Sequence, residues 1–135
     1  MQEISFHMDI ASLIIVLSVI IAHFFADFVF QAEVWAIGKR KSFKLLLQHT
    51  ITYSVVLTTL LLGILWINPL YILYFFIFNF IAHTTIDYFT SKLVGQRFED
   101  KHLGSPIPNF GAFSMIGLDQ VLHYICIFGS LYFLT

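Results

Sequence analysis

Residues 70–89 read LYILYFFIFNFIAHTTIDYF: 20 residues without a Gly, Pro, Lys or Arg, and with one acid, Asp87. A helix needs about 20 predominantly apolar residues to cross a bilayer, so this stretch is read as a transmembrane helix. His83 and Asp87 lie four residues apart, one above the other on the same helix face. Ionisable groups inside a membrane are costly and mark a functional site by default.

The rest of the chain repeats that pattern. Three further apolar stretches, at about residues 10–30, 45–67 and 113–134, are read as spans, and Asn68-Pro69 is a turn signal dividing the second from the third. The chain is 59% hydrophobic and only 11% charged, with 16 Phe among 135 residues and a mean hydropathy of +0.85. Soluble proteins are nearer a quarter charged, so composition excludes an ordinary soluble domain. The expected fold is an all-α, four-helix up-and-down transmembrane bundle forming a single domain over residues 1–135. The connections are expected at residues 31–44 and 90–112. Cys126, the only cysteine, is read as a packing residue.

All seven Lys and Arg residues (Lys39, Arg40, Lys41, Lys44, Lys92, Arg97 and Lys101) fall in or beside those two connections. The positive-inside rule then puts both connections in the cytoplasm and both termini outside. Residues 95–111, rich in Gly and Pro, are too irregular on this reading to continue a helix. The expected setting is a membrane crossed several times.

The ionisable groups within the spans are His23 and Asp27, then His49, then His83 and Asp87, then Asp119 and His123. The first and third helices run towards the cytoplasm with His before Asp. The fourth runs away from it with Asp before His. In such a bundle this inversion brings the groups to matching depth, an Asp layer nearer the cytoplasm and a His layer one turn deeper. Facing lipid instead, each charge would cost ~3 kcal/mol or more.

Imidazole and carboxylate together suit a divalent transition metal, here Zn, Fe or Mn, as one or two ions. Helical bundles build such centres from inward-facing residues about one turn apart. The seven residues are therefore the candidate ligands, with Asp119 or Asp27 as general base. A purely structural polar network is a poorer explanation, because polar contacts between membrane helices contribute only ~0.6 kcal/mol on average. No phosphate-binding loop, nucleophile elbow or zinc-finger spacing is present, and nothing points to nucleic acid.

Four blocks carry a family resemblance: HFFADFVFQAEVWAIGKRK (23–41), LLLQHTITY (45–53), IAHTTIDYFTSK (81–92) and LDQVLHY (118–124). Together they resemble a family of small bacterial integral membrane proteins, domain-of-unknown-function family 3307, and the resemblance implies that the membrane is a bacterial inner membrane. The resemblance adds Gln31 and Gln120 as residues supporting the ligands, and Lys39 as a catalytic candidate. A looser similarity, by analogy alone, is to inner-membrane metal-dependent hydrolases. The leading expectation is a metal-dependent membrane hydrolase acting on an anionic or lipid-phosphate substrate steered by Lys39 and its basic loop. The alternative is a non-enzymatic protein that binds, senses or transports a divalent metal, or docks a partner as a membrane subunit. A chain this small is also a candidate for homo-oligomerisation.

Overall fold

The computed structural model describes residues 8–66, 68–104 and 110–134, and every regular element among them is helical. Helix α1 (Ile10–Phe24) starts at Asp9, whose side chain accepts a hydrogen bond from the Ser12 amide at 2.6 Å. It runs directly into a π-helical turn, Phe25–Val29. Helix α2 (Glu33–Gly38) is a short piece inside the first connection. Then come α3 (Phe43–Leu60), α4 (Leu62–Leu65), α5 (Pro69–Glu99) and α6 (Ala112–Leu134).

Three helices are long and apolar enough to cross a membrane: Ile10–Val29, Pro69–Glu99 and Ala112–Leu134. Their outward faces carry large apolar residues such as Ile14, Ile21, Phe78, Ile81, Val121 and Ile125, all exposed. So much exposed apolar surface marks a face that meets lipid.

The stretch expected as a second span, residues 45–67, is not a single uninterrupted helix. It breaks at Leu61 (φ −97, ψ 7), between α3 and α4. Thr58, Thr59 and Gly63 surround the break, and none is a strong helix former. Lys44, Gln48 and His49 also make α3 more polar than its neighbours. Ile67, the end of that expected span, lies outside the described residues.

The expected connection at 90–112 is shorter than its sequence implied, because α5 continues to Glu99. Nothing in TSKLVGQRFE, residues 90–99, breaks a helix except Gly95, and one Gly costs only ~1 kcal/mol. The Arg40 side chain lies against Gly95, so a larger residue there would make the guanidinium move. At about 46 Å, α5 is longer than the ~30 Å hydrocarbon layer. The connection at 31–44 likewise contains α2. Residues 105–109, part of the second connection, lie outside the described residues.

Just before α6 the chain is pinned to the end of α5. The Ala112 amide donates to His102 O at 2.8 Å and the Phe113 amide to Leu103 O at 2.9 Å. A Cβ at Gly111 would sit 2.7 Å from the Leu103 carbonyl carbon, so only glycine allows this approach.

Each of the four longer helices presents a stripe of buried residues at a spacing of four. In α1 and its π turn these are Val19, His23 and Asp27. In α3 they are His49, Tyr53 and Leu57. In α5 they are Phe75, Asn79, His83 and Asp87, and in α6 they include His123, Ile127 and Leu131. Spacing of four is the ridge along which helices pack against one another. The apolar members, including Val19, Leu57, Leu61, Phe75 and Ile127, form one core at the end of the helices away from the basic residues. The polar members meet at the other end.

Candidate metal centre

His23, His49, His83 and His123 are each at most 1% exposed, and Asp27 and Asp87 at most 3%. Their ligand atoms crowd together. His49 Nε2 lies 3.2 Å from Asp27 Oδ1 and 3.2 Å from Asp87 Oδ2, and 3.1 Å from His83 Nε2. His83 Nε2 lies 3.6 Å from Asp27 Oδ1 and 3.5 Å from Asp87 Oδ2. His123 Nε2 lies 3.2 Å from Asp87 Oδ1 and 3.3 Å from Asp119 Oδ2. Asp87 therefore turns one oxygen towards each side of the cluster.

The π-helical turn contributes to this geometry. Asp27 sits in its middle, where the wider turn re-aims a side chain; such turns recur at functional sites. The nearest imidazole to Asp27 is accordingly His49, across a helix interface. Its own helical neighbour His23 stands 3.9 Å away. An Asp layer above a separate His layer is not what forms: Asp27 and Asp87 interleave with His49 and His83 around one point.

Gln120 joins the outer part of the cluster. Its Nε2 donates to Asp27 Oδ2 at 3.3 Å and Asp119 Oδ2 at 3.0 Å, while its Oε1 faces His23 Nε2 at 2.7 Å. Lys39, arriving from the first connection, donates to Asp87 Oδ2 at 2.5 Å and lies 3.4 Å from His49 Nε2. Burial disfavours its ammonium, but Asp87 and Asp27 more than offset that and hold its pKa above the ordinary lysine value. Gln31 stays apart: it borders the cavity above the cluster, and its buried Oε1 has no hydrogen-bond partner.

Some participants are not evident in the sequence. Tyr53 stacks on His83 with ring centroids 3.6 Å apart, and its hydroxyl lies 3.1 Å from His23 Nδ1. Thr90 Oγ1 donates to Asp119 Oδ1 at 2.5 Å. The signal available was position: Tyr53 follows His49 by four residues and Thr90 follows Asp87 by three, which puts both on the buried stripe. One turn deeper, Asn79 Nδ2 donates to Ser130 Oγ at 3.0 Å.

Above the cluster, on the basic side, opens a cavity of about 530 Å³. Asp27, Asp87, Asp119 and Lys39 border it, with apolar walls from Phe28, Ile37, Val94, Phe98 and Ile116. At its rim Arg40 pairs with Glu99 at 2.9 Å, joining the first connection to the far end of α5.

The donor set fits a divalent transition metal. Three groups have ligand atoms all within 4.8 Å of one another: Asp27, His49 and His83; His83, Asp87 and His123; and Asp27, Asp119 and His123. Imidazole nitrogen and carboxylate oxygen are the donors such ions favour.

Apolar helices of spanning length around a buried His/Asp cluster able to hold a metal ion define the class: a helical membrane protein. More particularly, the chain belongs to the family described as "Protein of unknown function (DUF3307)", whose model matches residues 13–134. No curated protein and no solved structure matches it.

Proposed function

We propose that this protein is a four-helix, up-and-down bundle in a bacterial inner membrane, with both termini outside. On this reading it is a metal-dependent hydrolase working from the cytoplasmic side. The observation that carries the reading is the juxtaposition of a ligand-rich cluster with an amphipathic cavity at the basic end of the helices.

A bound divalent ion supplies Lewis acidity and makes water acidic enough to lose a proton near neutral pH. Asp119 is the candidate proton acceptor, because it borders the cavity while Thr90 and Gln120 hold its two oxygens in place. Lys39 presents a cation at the cavity floor, suited to an anionic group on the substrate. Phe28, Ile37, Val94, Phe98 and Ile116 suit an apolar substrate portion. An anionic or lipid-phosphate substrate matches both features.

Elemental analysis of detergent-purified protein, followed by a screen of phosphoesters and lipid phosphates, tests the proposal. The expected result is a bound transition metal and turnover abolished by a chelator. Bound metal without turnover would leave the non-enzymatic metal-binding role. Absence of metal after reconstitution would refute the proposal.

A further inference from the structure

We infer that the Arg40 guanidinium is an anion-binding subsite of the cavity. It holds the phosphate or carboxylate of a membrane amphiphile as a handle, remote from the group that reaches the cluster. The inference names the substrate class, and it rests on the reading of the cavity as the substrate site.

The cavity follows one face of α5. Asp87, Thr90, Ser91, Val94, Phe98 and Glu99 border it, at the three- and four-residue steps of a single helix face. From Asp87 to Glu99 that face covers about 18 Å of helix axis. The part of α5 that continues beyond the expected span is therefore cavity wall. Arg40 also borders the cavity and lies against Gly95, eight residues after Asp87. An anion held there stands about 12 Å along the axis from Asp87. A group bound at the cluster is a different part of the ligand.

Lys39 and Arg40 are neighbours in the chain, yet they differ in what they can offer. Lys39 pairs with Asp87 at 2.5 Å, and the two side chains are 16% and 1% exposed. Breaking so buried a pair is strongly unfavourable. Arg40 Nη2 pairs with Glu99 Oε1 at 2.9 Å, and there the exposures are 25% and 62%. An ion pair this open to water is weak, and Glu99 released from it is solvated. A guanidinium grips a phosphate or carboxylate with two parallel N–H donors. Arg40 is thus the cation able to exchange an internal partner for an incoming anion.

Depth points to a lipid source for that anion. Counted from Pro69, a hydrocarbon layer of ~30 Å is used up at about residue 89. Gly95 and the guanidinium beside it stand about 9 Å further, at the edge of the headgroup layer. The walls agree. Phe28, Ile37 and Phe98 border the cavity and are also exposed on the outer surface, so its apolar lining continues onto a lipid-facing side. A chain attached to the bound anion meets apolar surface inside and outside the cavity.

The test is calorimetric titration of the full chain, in a neutral detergent at fixed ionic strength, with dodecyl phosphate. We expect one dodecyl phosphate per chain, and binding of glycerol phosphate at least about tenfold weaker, because burial of the chain is lost. Arg40→Gln should weaken dodecyl phosphate about tenfold or more. Glu99→Gln removes the internal competitor and should tighten it about threefold. Lys41→Gln, the same charge change at an exposed neighbour, should stay near the wild-type value. Were Arg40 and Glu99 merely a structural tie, both of their variants would shift binding in the same direction, and that result would overturn the inference. So would equal binding of glycerol phosphate, an equal loss in Lys41→Gln, or no binding to wild type. Metal content, measured in the same samples, separates the two readings. Dodecyl phosphate held through Arg40 in a chain that takes up no metal would refute the hydrolase and leave the subsite. Metal and turnover with no response to Arg40→Gln would do the reverse.

Discussion

Val19, Leu57, Phe75 and Ile127 lie on the same four stripes as His23, His49, His83 and His123, four or eight residues away along each helix. The first set forms an apolar core; the second, with Asp27, Asp87 and Lys39, forms the polar centre. One backbone arrangement thus supports two interiors. The apolar half is held by packing, which tolerates small rotations of a helix because no atom must point in one direction. The polar half depends on individual atoms. There the backbone widens into the π-helical turn around Asp27, while the apolar half takes up the break at Leu61 within its packing. Asn79 and Ser130, hydrogen-bonded at 3.0 Å, lie where the two halves meet.

If the two halves are separable, substitutions in each should have different signatures. The largest effect is expected for Asp87→Ala. It removes a carboxylate that faces His49, His83, His123 and Lys39, and leaves the buried Lys39 ammonium unpaired. Breaking such a pair costs about 3–5 kcal/mol. The variant should lose both its metal and much of its thermal stability; normal metal content would break the comparison from the polar side.

Leu57→Ala probes the other half. Leu57 is 0% exposed, and truncating a buried Leu costs about 2–4 kcal/mol. A lower melting temperature with unchanged metal per folded chain is expected. Loss of metal in parallel with stability would mean that the core also sets the ligand geometry.

Lys39→Met sharpens the description of the polar half. It removes a positive charge beside Asp87, so a divalent ion should bind more tightly, by about 1.4 kcal/mol or tenfold. Competition titration with a coloured chelator reads this directly, and weaker binding would show that Lys39 supports the ion rather than repelling it. If the protein is a hydrolase, turnover should fall in the same variant. Asn79→Leu, at the boundary, should matter least: a hydrogen bond between membrane helices contributes ~0.6 kcal/mol on average. A shift in the melting curve of several times that size would extend the polar half one turn deeper than drawn here.

Much of this was legible in the chain because the physics involved is local. Runs such as LYILYFFIFNF betray a lipid-facing helix without knowledge of any neighbour, and His and Asp four residues apart share a helix face in any helix. The break at Leu61 was not legible, because Thr and Gly are tolerated in membrane helices. Nor was the extension of α5 to Glu99, past a Gly95 that signalled a loop; Arg40 lies beside that glycine and pairs with Glu99. Tyr53 and Thr90 read as ordinary residues until their partners, His23, His83 and Asp119, are brought up from other helices.

Sequence by itself determined that this is a helical membrane protein with imidazoles and carboxylates on inward stripes, because hydropathy and the 3.6-residue repeat act within each helix. Which nitrogen faces which oxygen was decided only in the tertiary structure. Rotating a helix by a few tens of degrees, as the π turn does at Asp27, moves a side-chain tip by ångströms, and a coordination sphere is about that large.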